Sequence, residues 1–176
     1  TLLFAWATWQ ALDSEVLPII WTAWALALLE AGGRLREQPV RLQAYLLGLA
    51  AFVLALEFDL LLSPAAGARP GWVYAFVCAG LLYTATLRML LASWAGHLSE
   101  KAVASVPSWL ATVLAAGALY RALPLETVGL AWLGWALIIQ EAGRRLKNGE
   151  VSGHGLLLAI ASWIIAIAVN VYQLVT

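Results

Sequence analysis

Apolar stretches of about 20 residues follow one another along this chain, interrupted only by short polar or Pro/Gly clusters. That pattern constrains the fold more than any other feature. A chain this apolar throughout has lipid as the solvent for most of its side chains. In lipid every backbone N–H and C=O must pair inside the protein, which leaves helices or a closed barrel. A barrel would read as strands of roughly ten residues alternating apolar and polar. The runs here are longer and rich in Leu and Ala, which is the pattern of helices. Composition agrees: 63% of the 176 residues are hydrophobic and 11% are charged, against roughly 45–50% and 25% in soluble domains. The predicted fold is therefore all-α, an integral membrane helical bundle of about seven transmembrane helices.

The breaks set the expected spans. Residues 1–12 are too short to cross a bilayer, so the first helix is read as truncated. After Asp13-Ser14 a second helix is expected over 15–36, with Glu15 in its first turn. The Glu37-Gln38-Pro39 break leads to a third over 40–62. The segment 63–70, with two prolines and a glycine, is the clearest turn. A fourth helix is expected over 71–95, a polar turn over 97–101, and a fifth helix over 102–121 that Pro107 kinks or starts. A sixth follows over 125–147 and a seventh over 151–175. No loop is long enough to form a separate domain.

Charge sets the orientation. Arg34, Arg36, Arg41, Arg88, Lys101, Arg144, Arg145 and Lys147 fall on one side of the predicted bundle, and only Arg69 and Arg121 on the other. Short loops rich in Lys and Arg stay in the cytoplasm. The turns Arg34–Arg41, Arg88–Lys101 and Arg144–Lys147 are thus predicted cytoplasmic, with the C-terminus outside. Trp6, Trp9, Trp21 and Trp72 then fall near the outer boundary and Trp94 near the inner one. Trp163 falls mid-span and is expected to pack between helices.

The chain also matches itself at a shift of 111 residues. Glu15 falls on Glu126, Trp21 and Trp24 on Trp132 and Trp135, Glu30-Ala31-Gly32 on Glu141-Ala142-Gly143, and Arg34-Leu35 on Arg145-Leu146. Equivalent helices lie an even number of spans apart and so point the same way, which predicts a parallel four-helix repeat. On this reading 1–62 is part of a first unit, 63–101 a linking helix and cytoplasmic turn, and 102–176 a second unit of three helices.

Few polar positions are candidates for function. Glu30 and Arg34, like Glu141 and Arg145, are four apart and share a helix face. They read either as a repeated charged gate or headgroup site, or as interfacial ion pairs that end a span. Glu57 and Asp59 lie about 22 Å up the third helix. They form a proton or cation site inside the outer boundary, or both are wet because the helix ends at Phe58. His97 and His154 lack the matched depth that a bis-His haem requires. No metal cluster, phosphate loop or nucleophile–base motif is present, so no cofactor and no catalytic residue is expected. Net charge of zero argues against nucleic acid.

An outer-end acid, Trp-x-x-Trp-Ala-Leu, Glu-Ala-Gly-Arg-Arg-Leu, a short polar turn and a Leu/Ala-rich span occur at Glu126, Trp132, Trp135 and Glu141–Leu146. A second copy covers Glu15–Ala55. This arrangement resembles large bacterial many-pass proteins grouped as domain of unknown function 2339, over about half the chain. The resemblance implies a bacterial inner membrane and carries no activity. The expected role is structural or assembly, non-enzymatic, with the lipid bilayer and other membrane subunits as partners. The alternative is a transporter or lipid-handling protein with a site between the repeats. In a Cys78→Ser background, Arg69→Cys should react with an impermeant maleimide in intact cells, and Lys147→Cys only after permeabilisation; the reverse order would invert the predicted orientation.

Overall fold

The computed structural model describes residues 1–61, 71–91 and 98–175. Among these the chain is helical, with seven helices and no strand: α1 Leu2–Ala11, α2 Leu17–Leu35, α3 Gln38–Leu54, α4 Gly71–Leu91, α5 Leu98–Ala122, α6 Leu125–Arg145 and α7 Gly149–Val175. The helical path of α3 continues as wide π-helical turns over Ala55–Leu61. Two compact units divide the chain, Thr1–Ala118 and Leu119–Thr176.

Among the described residues three helices are long and apolar enough to cross a membrane, Gln38–Leu61, Gly71–Leu91 and Gly149–Val169. That corrects the expected seven. Helix α1 has 10 residues. Helices α2 and α6 carry Glu30 and Arg34, and Glu126, Glu141, Arg144 and Arg145, within their own lengths. Helix α5 carries Ser99, Glu100 and Lys101 in its first turn and Pro107 inside it. Its start at Leu98 also corrects the expected turn over 97–101: polar residues of good helix propensity extend a helix as readily as apolar ones. Glu15 lies in the turn before α2, one residue ahead of its N-cap Val16, and not in the first helical turn.

In the first unit α3 folds back on α2, and α4 packs against both α2 and the π-helical end of α3. Leu29, Ala44, Ala85 and Met89 form a buried cluster with Leu26 and Tyr45 packed on it. Helix α1 meets α2 through a Phe4–Trp24 stack at 4.6 Å and a hydrogen bond from Trp21 Nε1 to Thr8 Oγ1 at 2.9 Å. In the second unit α6 and α7 form a close antiparallel pair. Small residues set both crossings. A Cβ on Gly32 would stand 2.8 Å from Arg41 Cγ, and one on Gly143 would strike the Ser152 backbone.

The two hairpin turns have the same hydrogen bonds. Glu37 N–H donates to Gly32 O at 3.0 Å and Arg36 N–H to Gly33 O at 3.3 Å; Asn148 N–H donates to Gly143 O at 2.9 Å and Lys147 N–H to Arg144 O at 3.2 Å. Each is a Schellman helix end, in which the residue past the helix turns left-handed. Glycine usually takes that place, but here it is Arg36 at φ 59° and Lys147 at φ 52°. Beyond the second turn, the Asn148 side chain accepts from the N–H groups of Glu150 and Val151, both at 3.0 Å, and starts α7.

Relieving the left-handed strain should stabilise either hairpin. Lys147→Gly and Arg36→Gly are each expected to raise stability in detergent by about 1 kcal/mol, measured by unfolding in a denaturing detergent titration. Gly143→Val should lower it, because the clash is with backbone, whereas Gly134→Ala, with open space around it, should not.

Candidate functional site

Asp59 is the most unusual side chain among the described residues. It sits in the π-helical end of α3, is 1% exposed, and both its carboxylate oxygens are buried without a hydrogen-bond partner. Leaving an ionised carboxylate so placed costs several kcal/mol, so a position like this calls for an explanation. The local fold shows how it arises. Ala51, Ala55 and Asp59 are buried at every fourth position. On an α-helix that spacing drifts around the axis by about 40° per step. The wider i→i+5 turn offsets the drift and keeps Asp59 on the inward face. Such turns are frequent at functional sites.

Glu57 is exposed. Residues two apart lie on opposite helix faces, so the structure separates the two acids that stand close in sequence. The helix does not end at Phe58; it runs to Leu61 and buries one acid while wetting the other.

Three elements surround Asp59. The start of α4 touches its main chain: a Cβ on Gly71 would lie 2.6 Å from the Asp59 carbonyl oxygen and 2.9 Å from its Cα. Further along α4, Cys78 is buried and near enough to interact with both Asp59 and Thr22. Thr22 donates its hydroxyl to Pro18 O at 2.7 Å, and Glu15 is the acid whose charge reaches Asp59. From α5, Gly117 lies against the Leu60 side chain.

The other predicted polar residues form ion pairs. Arg34 reaches Glu30 at 3.0 Å, and so does Arg88 of α4, with two bonds at 2.5 and 3.1 Å. Local spacing does not disclose the Arg88 contact, because 58 residues separate it from Glu30. Its side-on grip ties the ends of α2 and α4 together. Glu141 instead pairs with Arg145 and Arg144 on its own helix, each at 2.7 Å. His154 is buried near the start of α7; His97 and Arg69 lie outside the described residues. Trp163, expected to pack between helices, is 66% exposed; within its unit it borders the α6–α7 groove, with Ile160, Ile164 and Ile167 also exposed along α7.

Among the described residues, spaces lie in both units. An apolar cavity of about 200 Å³ lies within the first unit, lined among others by Leu26, Leu29, Tyr45, Leu82, Met89 and Val106. A groove of about 490 Å³ lies between α6 and α7, with Glu126 at one end and Ser162 in its wall. Neither lining includes Glu57 or Asp59. Among the described residues no group of His, Cys, Asp and Glu could hold a metal ion.

The Glu30–Arg88 contact generates a coupling test. Glu30→Gln and Arg88→Gln should each loosen α4, and the double variant should be no less stable than the worse single one, read from thermal unfolding in detergent. Strict additivity would mean the bridge is inert. No protein-family model, no curated protein and no solved structure matches this chain.

Proposed function

We propose that this chain is a polytopic bacterial inner-membrane protein, built from four-helix repeats and serving a structural or assembly role in a membrane complex, without catalytic chemistry. The observation that carries the reading is the outer coat. Large apolar side chains stand exposed along α3, α6 and α7, among them Leu42, Leu46, Leu49, Leu130, Leu137, Ile138, Ile160, Ile164 and Ile167, each at least 49% exposed. Water does not tolerate contiguous apolar surface on this scale; lipid or protein partners must cover it. The polar chemistry is correspondingly sparse, with ion pairs at helix ends and hydroxyls turned back onto their own helices, as in Thr22, Thr86 and Thr112.

Support for the repeat comes from inside each unit. The two left-handed residues, the turn hydrogen bonds and the glycine contacts of the α2–α3 and α6–α7 hairpins occur at positions 111 apart, as in Arg36 and Lys147. The sequence resemblance to domain of unknown function 2339 fits the same picture and adds no activity.

A second reading, a transporter or lipid-handling protein, is favoured by one observation, the buried carboxylate of Asp59. The exposed apolar side chains of α3, α6 and α7 favour the first reading. A photoreactive residue in place of Leu137 or Trp163 decides between them in native membranes. Discrete protein adducts are expected for an assembly component, and adducts to lipid alone at both positions would overturn that role.

A further inference from the structure

We propose that Asp59 is a proton-binding site, a carboxyl group that the packed first unit holds as the neutral acid. It rests on burial inside the first unit, and it stands whether the chain assembles a complex or transports a solute. The geometry carries it. Both oxygens are buried and unpartnered, and a carboxylate removed from water takes up a proton in preference to remaining an uncompensated charge.

The groups that face Asp59 offer nothing better. On the α2 side stand Glu15, an acid, and Thr22, whose hydrogen is given to Pro18 O. From α4 come the Gly71 backbone and the Cys78 thiol, the latter in a buried site. From α5, Gly117 packs on the neighbouring Leu60. On its own helix Glu57 faces the other way. No cation faces Asp59 among the described residues, and a metal ion would require several further oxygens that are not there.

Gly71 touches the Asp59 main chain with no room for a methyl group. The start of α4 therefore packs directly on the backbone that carries the carboxyl group.

The test uses the full chain in native membranes, washed with alkaline carbonate. Dicyclohexylcarbodiimide adds across its C=N bond only the O–H of a protonated carboxyl, giving an acylisourea that rearranges to a stable acylurea with no leaving group. Peptide mapping should find the adduct on Asp59, and Asp59→Asn, which keeps the shape and removes the acid, should lose it while keeping the thermal stability of the parent. Infrared spectroscopy supplies a readout independent of reagent access: the parent should show a protonated-carboxyl C=O band that Asp59→Asn lacks. An unchanged band in Asp59→Asn overturns the proposal. So does labelling of Asp59 that occurs only in Arg69→Ala, which would mean an ion pair. A chain released by the carbonate wash defeats the membrane reading instead, and the infrared band still decides the proton.

Discussion

Close approach of antiparallel helices through residues that have almost no side chain is the constraint on which the rest depends. Between helices in lipid there is no hydrophobic gain, so association relies on dispersion contacts and a few polar ones. Gly32 against Val40 and Arg41, Gly48 against Ala25, Gly143 against Ser152 and Gly155 against Ala136 and Gln140 bring the backbones together. The Schellman ends hold each hairpin at that distance by satisfying the last carbonyls of α2 and α6. Once α2 and α3 are fixed, their shared face is the seat of α4, and α4 in turn closes over the π-helical end of α3.

Most polar groups find partners close by in the chain. Arginines at helix ends pair with a glutamate one turn away, and Arg88 adds a tie between helices. Hydroxyls bond to the carbonyl four residues back, and the Tyr83 hydroxyl meets Thr112 at 2.9 Å while Thr112 donates to Ser108 O. Asp59 departs from this pattern. It is buried where α4 packs on the end of α3, and among the described residues its carboxylate oxygens have no hydrogen-bond partner.

Part of the site is legible in the sequence. A spacing of four suffices to bring Glu30 to Arg34 and Glu141 to Arg145, because the α-helix alone decides it. The same reasoning is silent on Arg88, which meets Glu30 only because α4 returns alongside α2. Glu57 and Asp59 read as one acidic pair in the sequence, since nothing local says where a helix ends or widens. Two residues apart on one helix, the acids face opposite ways, and the packing of α4 on the π-helical end of α3 makes Asp59 the buried one. Helix α5 begins early for a related reason: a polar stretch of helix formers looks like a turn when apolar runs are the guide.

What the amino-acid sequence determined by itself was the all-helical class, the two hairpin breaks to within two or three residues of the observed turns at 36–37 and 146–148, the local ion pairs and the uneven distribution of Arg and Lys. These follow from side-chain polarity and from the fixed periodicity of a helix, which act over a few residues. Only the tertiary structure decided which acid is buried, which arginine bridges two helices, that Trp163 is exposed, and how closely the backbones pass at Gly32 and Gly143. Those outcomes depend on contacts between residues far apart in the chain, and the energy that selects them exists only once the helices have packed.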